Sequence, residues 1–411
     1  MSDSEFVWSD NWCILEDEAW FVTGEQGILF CLDRKTGNTK FAKKIPERKK
    51  SFRLHPRCIK YGDTVFCLPD KGENIWCYHI LADTWKRVII DSSPKLRIAC
   101  TNAWIMQDKI YIVSIGLKQI LEIDVLKEEV TSYYNLPIKN DGKMSGSILV
   151  GNWIYIVGVY PVCIYKFDCV TKRTEVNQLT NLNDLIHTIS YDGEKFWLSG
   201  RCRKIYIWKE TTNEILILDN LPDKFGIWNF SGKYKNLLNY NVDSIEMPLF
   251  LYSSFARGYV WLIPAQSNEI LYIDKDTYEI NTFSLEDEEL TEENINTQTL
   301  PHKYLLEYNL SERYVGLFSL KNRWIVEIDT QKLKYKILHY RIKEEHKYQI
   351  RKAVLNEKFY LKNITHECNE TRLRELVEYI QMNNSFLDGV EMGNTSIGKD
   401  IFMNMHYQAI N

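Results

Sequence analysis

The chain is short of the features that mark membrane, secreted and nucleotide-dependent proteins. No apolar run approaches the ~20 residues that cross a bilayer as a helix, so no membrane association is expected. The first residues, MSDSEFVWSDNW, are acidic and lack a basic stretch followed by an apolar core, unlike a secretory signal. Proline and glycine are scarce, 10 and 19 of 411 residues, which excludes collagen-like and Pro/Gly-rich disordered chains. A surplus of one charge is also missing. The 51 basic and 55 acidic residues leave a formal net charge of −4, against the basic excess usual in nucleic-acid binders. The short basic cluster Lys43, Lys44, Arg48, Lys49 and Lys50 reads as a solvated loop, and no nucleic acid is expected.

Motifs for catalysis are absent as well. None of the ten cysteines (13, 31, 58, 67, 77, 100, 163, 169, 202 and 368) forms CxxC, and most fall within apolar runs. They read as buried, reduced thiols acting as small hydrophobes, which points to the cytoplasm. The eight histidines show no HxH or HExxH spacing, and His366 with Cys368 is a lone HxC. GxSxG, GxGxxG and GxxxxGK[ST] do not occur. No metal and no cofactor is expected.

What is present is a repeat. The segments ILFCLD, NIWCYH, QILEID, CIYKFD, KIYIWK, EILYID and WIVEID end at Asp33, His79, Asp124, Asp168, Lys209, Asp274 and Asp329, 41 to 65 residues apart. Four positions before each end stand Leu29, Ile75, Ile120, Ile164, Ile205, Ile270 and Ile325. One position before stand Leu32, Tyr78, Ile123, Phe167, Trp208, Ile273 and Ile328. A preceding strand carries the column Phe21, Phe66, Tyr111, Tyr155, Trp197, Trp261 and Gly316. β-Branched and aromatic runs bounded by Gly, Asp and Asn are strand signals. A further apolar stretch before each pair and another after it give four short strands per unit. Four antiparallel strands per forty to fifty residues fit a β-propeller blade. Stacked blades cover both faces of each sheet, which explains strands with little apolar/polar alternation.

The sequence therefore predicts an all-β propeller of four-stranded antiparallel blades over residues 1–365. Seven units are complete. NEKFYLKN (356–363) matches GEKFWLSG (193–200), which predicts a partial eighth, completed by residues near Phe6 to Trp8; seven blades with an appended strand pair is the alternative. Residues 366–411 are expected to be a short α-helical extension packed on the propeller, because Leu373, Leu376, Val377 and Ile380 share one helical face. Two insertions stand out. DKFGIWNFSGKYKNLLNYNVDSIEM is read as a loop over one rim. The acidic run Glu286, Asp287, Glu288, Glu289, Glu292 and Glu293 is read as a short helix or solvated loop.

Units such as TVFCLPDKGENIWCYHILADTWKRV resemble degenerate kelch repeats. Trp85 stands at the kelch Trp position, and Leu136-Pro137 and Leu221-Pro222 at its terminal pair. Only single glycines survive (Gly24, Gly116, Gly158, Gly200), and blade one, LDRKTGNTKF, looks more like a quinoprotein blade. The resemblance implies a propeller of the kelch or galactose-oxidase-central-domain type, a family used mostly for protein or ligand binding. It carries over no catalytic residue.

Propellers bind where inner strands start and loops converge at one mouth of the channel. That position selects Arg53, His55, Arg57, Arg97, Thr101, Ser145 and His187 as candidate ligand-binding residues. Thr101, Ser145 and His187 are equivalent in the repeat and would lie on one ring. Arg and His at a mouth suit an anionic ligand, a carboxylate or acidic sugar. Solvated rim residues are the plainer reading. Two functions follow: a non-catalytic binding or protein-interaction scaffold with a protein partner, or a propeller hydrolase, lyase or epimerase using the same residues on a sugar or anionic small molecule.

Overall fold

The computed structural model describes residues 9–347, except 10, 25–26, 48–52, 92–96, 139–141, 180–181, 223–225, 229–233, 237–247, 290–302, 311, 320–321 and 323. They build seven four-stranded antiparallel sheets, each paired in simple sequence order. Blade 1 comprises Trp12–Ile14, Glu18–Val22, Ile28–Asp33 and Thr39–Lys44. Blade 2 runs from Arg57–Tyr61 to Thr84–Ile89, blade 3 from Cys100–Met106 to Glu129–Asn135, and blade 4 from Lys143–Val150 to Thr174–Gln178. Blade 5 runs from Thr188–Tyr191 to Glu214–Leu218, blade 6 from Phe250–Ala256 to Ile280–Ser284, and blade 7 from Tyr304–Leu310 to Lys334–Leu338. The first strand of each blade is innermost.

The apolar columns of the repeat form the packing between blades. Leu29, Ile75, Ile120, Ile164, Ile205, Ile270 and Ile325 are all fully buried, as are Trp197 and Trp261 of the aromatic column. Each cluster joins two blades. Tyr155, Val157 and Ile164 of blade 4 pack with Ile189, Phe196 and Trp208 of blade 5. Burying one such side chain contributes about 1.5–3 kcal/mol, so the same register is kept in every blade. The nine described cysteines are free; eight are buried, and burial pushes their thiols up, Cys31 to about 12.

Seven blades close the ring, and the predicted eighth is corrected. The inner strand of blade 1 meets blade 7, with the Trp12 ring 3.8 Å from Phe21 and 5.6 Å from Phe318. Arg34 of blade 1 bonds the fully buried Glu327 of blade 7. Beyond blade 7, Arg341 pairs in parallel with Asn38, and Thr39 N donates to Arg341 O at 2.9 Å. Gly37 permits this approach: φ is +73°, and an added Cβ would stand 2.0 Å from His339 O. Residues 356–363, Phe6 to Trp8 and 366–411 lie outside the described residues, as does most of the helical extension's boundary region; residues 344–347 are helical.

The two ends of the wheel differ in chemistry. At one end, first-to-second and third-to-fourth strand turns repeat almost identically. The terminal Asp of the third strand accepts from backbone N–H groups two and three residues on, as at Asp124, Asp274 and Asp329. The residue four positions on is left-handed in all seven blades: Gly37, Asp83, Glu128, Lys172, Asn213, Tyr278 and Leu333. The Asp column is thus a turn signature. We call this the turn rim, and the opposite end the loop rim.

The insertions lie between an outer strand and the next inner strand. The first contains a hairpin, Gly226–Trp228 with Tyr234–Asn236. The second begins with a 3-10 turn, Glu286–Glu288. Its Glu288 is not solvated. It is fully buried and accepts from Ser319 Oγ (2.6 Å), Asn322 Nδ2 (3.0 Å) and Trp324 Nε1 (2.6 Å).

Candidate binding site at the loop rim

The sequence-selected residues all fall at or beside the loop-rim ends of the inner strands. Four inner strands are irregular there. The ladder shifts between Val113 and Ser114 in blade 3, on both sides of Met144 in blade 4, between Phe250 and Tyr252 in blade 6, and between Tyr304 and Glu307 in blade 7. A bulge re-aims side chains and ends pairing, a device common beside binding sites. Thr101 and Ser145 are among the residues these shifts leave out of register.

Arg53 and Arg97 come together on a carboxylate the sequence reading did not select. Asp70 follows the second strand of blade 2, and its side chain is only 3% exposed. Arg97 reaches it through two nitrogens, Nε at 2.5 Å and Nη2 at 2.6 Å. Arg53 Nε lies 3.6 Å away. The Arg97 and Arg53 side chains are 55% and 39% exposed. Arg53 is itself left-handed, at φ +59°, and is held by Arg53 N donating to Gly24 O at 2.7 Å. A non-glycine residue held in this region costs on the order of 1–3 kcal/mol and marks sites where the surroundings dictate the backbone.

Arg57 leads into a polar chain across three inner strands. It donates to Asn102 Oδ1 at 3.0 Å, and Asn102 Nδ2 donates to Ser147 Oγ at 2.8 Å. Blades 2, 3 and 4 are thereby linked at the hub. Thr101 Oγ1 donates to Val113 O at 3.3 Å, an internal contact.

His55 does not face the mouth. It is 2% exposed, its Nε2 is 3.0 Å from Asn74 O, and Glu47 lies 3.9 Å away. Burial pushes its pKa down to about 4. It anchors the loop rather than presenting an edge to a ligand.

Ser145 and His187 do meet: Ser145 Oγ is 3.3 Å from His187 Nδ1. Burial, and then the Arg201 guanidinium, push the His187 ring down to about 4, against a smaller upward pull from Asp184. Its ring is neutral at pH 7. Arg201 and Asp184 were missed in the sequence, because both stand in loops outside the strand repeat. The sequence signal for Arg201 was its place directly after the single glycine of blade 5.

Among the described residues no His/Cys/Asp/Glu group is arranged to hold a metal ion. No helix among them is long and apolar enough to cross a membrane.

Fold and site together define a seven-bladed β-propeller with a polar, irregular loop rim. No protein-family model and no curated protein matches the chain. Similarity to solved structures is at the level of fold. Virginiamycin B lyase from Staphylococcus aureus superposes with a TM-score of 0.54 at 11% identity, covering 76% of this chain and 92% of that one. A streptogramin B lyase gives 0.55 at 13% identity, covering 80% and 92%. BamB from Moraxella catarrhalis gives 0.51 at 12% identity, covering 77% and 82%.

Proposed function

We propose that the protein is a non-catalytic binding or protein-interaction scaffold whose recognition surface is the loop rim. There Arg97 and Arg53 receive an anionic group, a carboxylate or acidic sugar on a ligand or partner. The observation that carries this reading is Asp70. A buried carboxylate holds two arginines at the rim, and both side chains are partly exposed to solvent. Arginines fixed in advance lose little side-chain freedom on binding. The resemblance of the repeats to kelch units supports a binding role, and the reduced thiols support the cytoplasm as the compartment. The experiment is a thermal-shift screen with sugars, sugar acids and nucleotides. Selective stabilisation by acidic compounds that disappears in Arg97→Ala supports the reading; stabilisation that ignores this residue argues against it.

A second reading, a propeller enzyme acting on a sugar or anionic small molecule, draws on the Ser145–His187 pair. A neutral imidazole touching a hydroxyl is equipped for proton transfer. Two of the structural relatives are lyases by name. Turnover of a sugar acid by the wild type and none by His187→Gln would select this reading over the first.

A further inference from the structure

The mouth between blades 4 and 5 carries buried polar atoms with no partner among the described residues: His187 Nε2 and Arg201 Nε. Deeper on the same inner strand, Ser190 is 1% exposed and its Oγ is likewise unpartnered. A buried donor left unmade costs about 1–3 kcal/mol, so such groups call for an explanation.

The surroundings hold these donors in place. Asp184 Oδ1 accepts from Leu185 N (2.7 Å), Arg201 N (2.9 Å) and Cys202 N (3.1 Å), tying two loops together. Gly200 makes room for it: an added Cβ would stand 2.8 Å from the Asp184 carboxyl and 2.4 Å from Leu185 O. Spent on the backbone, this carboxylate forms no ion pair with the Arg201 guanidinium among the described residues. Ser145, fixed by the blade 4 irregularity, meets the other face of the imidazole at Nδ1.

We infer that His187 and Arg201 form an oxyanion pocket that takes the carboxylate of a small acid, with Ser145 donating to Nδ1 so that Nε2 carries the proton offered to the ligand. One carboxylate oxygen meets Nε2–H and the other meets the guanidinium, a charge-assisted pairing. This centre rests on the reading of the loop rim as the recognition face, but it uses none of the residues around Asp70. It gives that face a second anion contact, on blades 4 and 5 rather than 2 and 3. The charged groups facing the imidazole are Arg201 and Asp184. A bound carboxylate favours the protonated ring, so binding strengthens as pH falls from 7 toward the pKa of His187.

The test is 15N NMR on the full chain labelled at histidine, titrated with galacturonate and, separately, galactose. The His187 imidazole starts as the Nε2–H tautomer. Galacturonate shifts it saturably and galactose does not. Arg201→Gln weakens the galacturonate effect by about tenfold or more, the equivalent of ~1.4 kcal/mol. Arg201→Lys, which keeps the charge, restores part of it and serves if the Gln variant folds poorly. Arg97→Ala leaves the His187 shift in place. No saturable shift, an Nδ1–H tautomer, an equal response to galactose, or a shift unchanged in both Arg201 variants overturns the inference. A galacturonate response that Arg97 controls and His187 does not feel overturns this pocket while sparing the loop-rim reading.

Discussion

The turn rim and the loop rim are built from the same seven blades, yet they solve different problems. In five of the seven third-to-fourth strand turns an Asp ends the third strand and, as at Asp124, accepts two backbone N–H groups; in all seven a left-handed residue four positions on closes the reversal. Side chains that reach beyond their own turn mostly tie one blade to the next. Lys43 pairs with Asp83 at 2.8 Å, Lys86 with Glu128 at 2.9 Å, and Lys172 with Glu122 beside Tyr111. The second rim repeats almost nothing. Its connections differ in length, its inner strands are bulged, and buried polar groups hold loops rather than turns. Repetition without irregularity serves closure. Departure from the repeat, maintained by Asp70 and Asp184, is where we propose recognition.

The largest expected effect belongs to closure. Glu327→Ala removes the carboxylate that neutralises Arg34, whose side chain is 8% exposed, and leaves that charge buried with only the Leu15 and Glu16 carbonyls as acceptors among the described residues. Losing one partner of a buried pair costs about 3–5 kcal/mol. Equilibrium urea denaturation reports this as a lower midpoint, and ligand response per folded molecule stays as in the wild type.

Acid sharpens the contrast next. His55 and His187 have folded pKa values pushed down to about 4 from 6.5. Between those values the unfolded chain binds more protons at these two sites than the folded one, so their contribution to stability falls as pH drops from 6.5 toward 4 and levels off below. At about 1.4 kcal/mol per unit, each ring removes on the order of 3 kcal/mol. Thermal melts from pH 7 to 4 show this loss, and it flattens in His55→Gln with His187→Gln. An unchanged slope would contradict the buried neutral rings.

On the loop rim, Arg97→Ala removes the two-point partner of the buried Asp70 carboxylate and is expected to lower the melting temperature, while weakening an acidic ligand about tenfold or more per folded molecule, as isothermal titration would show. On the turn rim only stability responds. Asp274→Ala loses the contacts to Asp276 N and Thr277 N and costs about 1 kcal/mol, with no effect on binding. The smallest effect runs the other way. Leu333 holds φ +49° with 42% of its surface exposed, so Leu333→Gly relieves left-handed strain of about 1 kcal/mol, offset by glycine's larger freedom when unfolded. Urea titration detects a neutral to slightly stabilised protein.

How much of this was legible follows from the range of each interaction. The apolar columns were, because a sheet buried on both faces needs apolar residues in one register, and Leu29 through Ile325 occupy it without exception. The Asp column was visible as a column but not as a turn device. Its left-handed partner is Gly37 in one blade and Leu333 in another, so residue identity does not reveal it. The blade count was misread because NEKFYLKN looks like a strand pair locally. Closure is decided by Arg34 with Glu327 and Thr39 with Arg341, contacts 293 and 302 residues apart. At the candidate site, repeat equivalence put Thr101, Ser145 and His187 on one ring; in the structure Ser145 Oγ lies 3.3 Å from His187 Nδ1, while Thr101 bonds Val113 O. It also placed His55 at the mouth, where the structure has it buried against Asn74 O. Asp70, Asn102, Asp184 and Arg201 were not found. Their roles depend on loops of neighbouring blades meeting in space, which the one-dimensional register does not encode.

Charge reversal on the two rims tests the central assignment most directly. Arg97→Glu alters the loop rim, and Lys127→Glu alters an exposed turn-rim residue 66% open to solvent. Thermal stabilisation by the acidic compounds of the screen should vanish in Arg97→Glu and persist in Lys127→Glu. Stabilisation that persists in the first variant and vanishes in the second would contradict the assignment of recognition to the loop rim.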